Sequence, residues 1–229
     1  MIAALRGARL VGATGAILPK LAVGRRSEWG ADRALHQFSR RALKALPLRI
    51  TWQGEPDPSA PLWIANHLSW LDPIVLLSLR PMGLLAKAEA ADYPLIGRWM
   101  RRAGLRFVDR DDATSRGAAL AALGQDLKAR RPMLIFPEGT TTKGRLTHMR
   151  PGGLLAAHEL GISVQSFRFS TPDEHYTWTG DESLLPHLKT LLRRPARLRV
   201  EAMPVLHPSA FPDPEAWLTA LRTSLTEPA

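Results

Sequence analysis

His67 and Asp72 stand five residues apart in the segment Asn66-His67-Leu68-Ser69-Trp70-Leu71-Asp72. Imidazole takes and returns a proton near neutral pH. It works better as a base when a carboxylate fixes its tautomer and steadies the imidazolium. On a continuous helix these two side chains would diverge by about 140°, so they meet only if the chain bends between them. Two local signals permit a bend. Ser69 and Asp72 have capping-box spacing, which places a helix start at Ser69. The alternative makes Asp72 the N-cap and Pro73 the first helical residue. Either start leaves His67 ahead of the helix, free to fold back over its first turn. A His and an Asp beside a helix start often only cap it, so spacing alone does not define a catalytic pair.

Two further segments carry chemistry. In Phe136-Pro137-Glu138-Gly139-Thr140-Thr141-Thr142 an apolar strand ends in an acid, a glycine and three hydroxyls, with Lys143 and Arg145 just beyond. Such a turn can offer backbone N–H groups, hydroxyls and cations to a polar head group. In Gly104-Leu105-Arg106-Phe107-Val108-Asp109-Arg110 an arginine stands at a strand end. Arginine grips phosphate with two parallel hydrogen bonds and keeps its charge. The plain structural readings are a Thr-capped surface turn and an Arg paired with Asp109, Asp111 or Asp112.

The elements that must position these groups alternate. Strands are expected at 48–53, 62–65, 83–88, 105–108, 132–136, 162–169 and 198–203. Helices are expected at 73–79, 94–102, 113–130, 151–160 and 214–226. This alternation predicts an α/β domain, a central, largely parallel mixed sheet flanked by helices. His67, Arg110 and Glu138 each follow a strand. Ligands of open α/β sheets bind beyond the carboxyl ends of the strands, so the three are expected to share one cleft.

Taken together, the blocks resemble those of the glycerolipid acyltransferase family, which includes the 1-acylglycerol-3-phosphate acyltransferases. The likeness rests on His67 and Asp72, on Lys87-Ala88-Glu89 with Pro94 and Gly97 running into Gly104 and Arg110, on Glu138-Gly139-Thr140, and on the strand at 162–169. It covers roughly residues 48–205 in matching order. The resemblance implies O-acyl transfer from an acyl thioester, acyl-CoA or acyl-carrier protein, to the hydroxyl of a lysophospholipid. His67 would be the general base and Asp72 its partner. Lys87, Arg110, Glu138, Gly139 and Thr140 would hold the acceptor. No cofactor or metal is implied beyond the thioester co-substrate. Thr141 departs from the pattern, because lysophosphatidate-using members commonly carry Arg there. The Glu-Gly-Thr-Thr-Thr form, Val164-Gln165-Ser166 and Trp178-Thr179-Gly180-Asp181 look more like members acting on other lysolipids, lyso-ornithine lipid among them.

Composition sets the remaining bounds. The chain has 229 residues, no cysteine and a net charge of +10. Disulfides, thiolate metal sites and a Cys nucleophile are excluded. Residues 1–50 hold ten Lys/Arg against two acids, +8 of the total. Such a segment attracts anionic lipid or nucleic acid. No run approaches the roughly 20 apolar residues of a membrane span. Leu35, Phe38, Ala42 and Leu46 fall on one helical stripe, with His36, Arg40, Arg41 and Lys44 largely off it. Residues 1–47 are therefore expected to form a basic amphipathic helical region that docks on a membrane, and 48–229 the acyltransferase domain. The stripe would equally suit a helix packed on the domain. The expected location is peripheral, on the cytoplasmic face of the membrane, with membrane lipids as partners and no nucleic acid. A non-catalytic lipid- or nucleic-acid-binding protein is the alternative from another class. A serine hydrolase lacks its Gly-x-Ser-x-Gly elbow here, and a zinc protease its His-Glu-x-x-His.

Overall fold

The computed structural model describes residues 4–8, 12, 30–88, 105–109, 111–144, 146–179 and 183–226. The expected helix at 94–102, Arg110, Arg145 and Gly180-Asp181 lie outside them.

Seven strands form one sheet: β1 (Leu48–Gln53), β2 (Leu62–Ala65), β3 (Gly83–Lys87), β4 (Arg106–Val108), β5 (Met133–Ile135), β6 (Val164–Ser170) and β7 (Ala196–Ala202). Their spatial order is β1-β7-β6-β2-β5-β3-β4. Every neighbouring pair is parallel except β6–β7. The helices are α1 (Gly30–Ala45), α2 (Asp72–Leu77), α3 (Ala113–Lys128), α4 (Gly152–Glu159), α5 (Leu184–Arg193) and α6 (Pro214–Leu225). The expected α/β class and mixed sheet are both present.

Alternation along β2 builds two cores. Trp63 and Ala65 face a cluster with Ala34 of α1, Leu76 of α2 and Leu191 of α5. Leu62 and Ile64 face the other, with Leu123 of α3, Leu154 of α4 and Trp217 of α6. A strand buried on both faces reads as a continuous apolar run, which is why it was legible as Leu-Trp-Ile-Ala.

Helix α1 belongs to the first layer. Ala34 and Leu46 are in its core, Leu35, Phe38 and Leu43 pack at its margin, and Ala42 is fully buried. His36, assigned to the polar side by periodicity, donates from Nδ1 to the Leu77 carbonyl at 2.8 Å. Asp32 is 3 % exposed and takes both arms of the Arg131 guanidinium at 2.6 and 2.8 Å. The apolar stripe is thus spent on the domain. The face at Arg33, Gln37, Arg40, Arg41 and Lys44 is the exposed one. Among the described residues no helix is long and apolar enough to cross a membrane.

Helix α5 was not expected from the sequence. Pro186 sits in its first turn, where proline costs no hydrogen bond, but the residue interrupts the pattern by which a helix is recognised. Strand β7 begins at Ala196, two residues earlier than expected, because Leu48 of β1 pairs with it.

Candidate active site

Strands β2, β5, β3 and β4 run parallel, so their carboxyl ends share one edge in that order. The edge therefore presents His67, then the 136–142 turn, then Lys87, then the chain beyond Val108. At roughly 4.8 Å between strands, the row from β2 to β4 is about 14 Å long.

The bend at His67 starts where β2 stops. The Asn66 side chain replaces the next backbone pair of the ladder. Its amide donates to the Phe169 carbonyl at 2.9 Å, and its oxygen accepts the Phe169 N–H at 2.7 Å. The main chain is thereby released from the sheet one residue before His67. Neither expected helix start is observed. Asp72 is the first residue of α2, and its N–H donates to the Ser69 carbonyl at 3.0 Å. Leu71 precedes the helix with no side-chain cap. The Asp72 carboxylate turns backward instead of capping forward. Its Oδ2 accepts the Leu68 and Ser69 N–H groups at 2.6 and 2.8 Å and faces His67 Nδ1 at 2.9 Å. A tight turn, held by the acid itself, brings together two residues that a helix would separate.

Asp72 has a third anchor. The Tyr176 hydroxyl donates to its Oδ1 at 2.7 Å. Tyr176 is completely buried, and burial together with the Asp72 charge pushes its hydroxyl well above the usual tyrosine range. It therefore stays a donor. Asp72 is itself fully buried. Three donors besides the imidazole, the Leu68 and Ser69 N–H groups and the Tyr176 hydroxyl, suit a carboxylate. An ionised Asp72 fixes the proton of His67 on Nδ1. Nε2 is left as the basic lone pair on a ring whose side chain is 17 % exposed. That ring stacks on Phe136, 4.1 Å between centroids.

Glu138 braces the other side. One carboxylate oxygen accepts the His67 N–H at 2.8 Å and the other the Thr142 hydroxyl at 3.0 Å. Thr142 N–H closes the loop by donating to the His67 carbonyl at 2.7 Å. The sharp turn between them uses Gly139 at φ 77°, which favours glycine. Thr140 is exposed, so it is Thr142 that works inside the site. Lys87 is exposed at the end of β3.

Burial pushes the Glu138 carboxyl up from the usual 4.5, against the His67 and Thr142 hydrogen bonds that lower it. A carboxyl raised in the folded state binds more protons folded than unfolded, so its contribution to stability falls as pH rises above about 4.5. Glu138→Gln keeps an acceptor for His67 N–H and removes this titration. The variant is expected to gain stability relative to the parent as pH rises from 4 to 7. Urea midpoints at several pH values check it, and a pH-independent difference would contradict it.

The sequence missed Tyr176, Asn66 and Trp70 as supports. Trp70 donates from its indole to His187 Nδ1 at 2.9 Å, and Trp178 N–H donates to the Leu68 carbonyl at 2.8 Å. The only available signal was the presence of just two tyrosines in the chain, which does not say where either folds.

The acyltransferase family model matches residues 50–170, and the chain belongs to that family. Within it, the chain is 38 % identical to the lyso-ornithine lipid O-acyltransferase of Pseudomonas aeruginosa, covering 82 % of this chain and 78 % of that one. It is 32 % identical to the 1-acyl-sn-glycerol-3-phosphate acyltransferase of Helicobacter pylori over 49 % of each chain. The crystal structure of the 1-acyl-sn-glycerophosphate acyltransferase PlsC from Thermotoga maritima has the same fold, with a TM-score of 0.66 and 19 % identity, covering 93 % of this chain and 85 % of that one.

Proposed function

We propose that this acyltransferase moves a fatty acyl group from an acyl thioester, acyl-CoA or acyl-carrier protein, to the hydroxyl of a lysolipid. His67 acts as general base. The observation that carries the reading is the 2.9 Å contact of His67 Nδ1 with a buried Asp72. The acceptor hydroxyl gives its proton to His67 Nε2 as its oxygen attacks the thioester carbonyl. The tetrahedral intermediate expels the thiolate, which takes the proton back from the imidazolium. An ester and a free thiol result. Asp72 holds the ring and steadies its positive charge during transfer. Lys87, Arg110 and the turn that carries Gly139 and Thr140 hold polar groups of the substrates, while Glu138 braces His67.

Lyso-ornithine lipid is the preferred acceptor. It is named by a relative that matches 82 % of this chain, and Thr141 withholds the arginine suited to a phosphomonoester. A glycerol-3-phosphate acceptor is the second reading, supported by the shorter Helicobacter match. A labelled acyl thioester offered with lyso-ornithine lipid, 1-acylglycerol-3-phosphate and lysophosphatidylcholine tests both. Preferred labelling of lyso-ornithine lipid is expected, and no labelling of any acceptor would sink the reading.

The enzyme docks peripherally on the cytoplasmic face of the membrane through its N-terminal basic region. Support comes from the exposed cations of α1 and from Leu79 and Leu185, exposed at 40 % and 67 %. Sedimentation with vesicles should rise with anionic lipid content; indifference to it would refute docking of this kind.

A further inference from the structure

A polar cavity lies beside the catalytic bend, and its occupant is not accounted for by the row of strand ends. It has a volume of about 190 Å³ and lies between the carboxyl end of β6, the 143–144 loop and the end of α6. Asn66, Lys143, Arg168, Ser170, Thr171 and Thr177 contribute its polar lining. Asn66 and Leu68, which flank His67, are both part of the wall. Lys143 directly follows Thr142, the residue that bonds both Glu138 and the His67 carbonyl. The cavity and the base therefore share one loop.

Two cations, Lys143 and Arg168, line this cavity, and among the described residues no acid does. Arg168 has an 11 % exposed side chain and is paired with Glu201. Glu201 is also paired with Arg199 at 2.9 Å. One carboxylate thus serves two guanidinium groups, and Lys143 is the cavity's second cation. Arg168 donates one further bond to the Thr226 carbonyl at 2.7 Å. Its Nε is buried with no hydrogen-bond partner among the described residues. The cavity that Arg168 lines is too small for an acyl chain but admits a carboxylate or a phosphate with a few attached atoms.

Resting on the proposed lysolipid reaction, we infer that this cavity receives the anionic head group of the acceptor, with Lys143 and Arg168 as its cations and Ser170 and Thr171 as hydroxyl donors. Thr141 leaves no cation after Glu-Gly-Thr, and the charge is supplied by Lys143 and Arg168 instead. An N-acylated amino acid places a free carboxylate a few bonds from a hydroxyl on its acyl chain. Anchoring that carboxylate positions the hydroxyl at the neighbouring bend. A lysophosphatidate phosphate has the same chemistry.

The test uses the full chain and short-chain acceptors: N-(3-hydroxyoctanoyl)-ornithine, its carboxyl methyl ester, and 1-octanoylglycerol-3-phosphate. Binding is read by calorimetry and transfer by labelled thioester. The acid is expected to bind about tenfold or more tightly than the ester. Lys143→Ala should erase most of that preference and raise the acceptor KM, while leaving ester binding and the donor KM unchanged. Lys143→Arg should restore it. Lys143 is exposed, so these variants fold; Arg168→Lys serves as the buried counterpart. Dependence on Lys143 for the phosphate but not the carboxylate would support the head-group site and identify lysophosphatidate as its source. Equal binding of acid and ester by the parent, with a phosphate acceptor indifferent to Lys143→Ala, overturns the inference. Acid preference without any acyl transfer leaves the cavity assignment standing and overturns the proposed reaction alone.

Discussion

Asp72→Asn is expected to lower kcat by about 10² to 10⁴ while leaving a folded protein, the range that a positioned general base contributes. The geometry explains why the two effects separate. An asparagine oxygen at the Oδ2 position still accepts the Leu68 and Ser69 N–H groups, which hold the turn. Its amide nitrogen then meets the Tyr176 hydroxyl, which can accept as well as donate. The turn survives at a cost of roughly 1–3 kcal/mol, the range for a perturbed buried polar group. What is lost is the negative charge. A neutral amide does not stabilise the imidazolium formed as the acceptor is deprotonated. Steady-state kinetics with a urea denaturation curve separate the two quantities. A variant with full kcat would contradict the role given to Asp72. One that fails to fold would show that the carboxylate matters chiefly to the turn.

Arg131→Ala should be the most destabilising single change outside the site. Arg131 is 12 % exposed at its side chain and lies between Asp32 of α1 and Asp126 of α3. Asp126 has a second cation in Arg106, 2.9 Å away. Burial raises its carboxyl, but Arg106 and Arg131 outweigh that and hold it below the usual aspartate range. Asp32 is bonded by both Nε and Nη2 of Arg131. Removing Arg131 leaves Asp32 as a buried charge without that cation. Breaking one partner of a buried pair typically costs about 3–5 kcal/mol. For a domain of this size that is a fall in Tm on the order of 10 °C. Calorimetry checks it, and a change below 1 kcal/mol would mean α1 is held by its apolar stripe alone. Because the link joins α1 to the sheet, local proteolysis near α1 should increase with the same variant.

What the sequence revealed followed from local pattern. The run Leu-Trp-Ile-Ala, the alternation of β1 and the long Ala113–Lys128 helix each carry their signal within one element. So do the turn residues around Gly139. The site was legible as a set of residue types after strand ends, and the sheet order then places β2 beside β5, so that His67 and Glu138 meet. The details that were not legible depend on long-range partners. The backward turn of Asp72 needs Tyr176, which lies 104 residues on. The release of His67 from the sheet needs Phe169, 103 residues from Asn66. Glu138 reads from sequence as a group facing substrate, yet both its oxygens are engaged by His67 N–H and Thr142. The basic amphipathic helix illustrates the same limit. Its stripe was correctly placed, but a stripe does not say whether lipid or protein covers it, and α1 covers its own against the core.

The most direct test of His67 as the base is transfer of labelled acyl groups to lyso-ornithine lipid by the parent and by His67→Ala, at equal folded concentration. The parent should transfer. The variant should be slower by about 10² to 10⁴; its melting temperature is expected to fall, because the ring stacks on Phe136 and partners the buried Asp72, so the comparison is made per folded molecule. Transfer by His67→Ala at the parent's rate would contradict the mechanism.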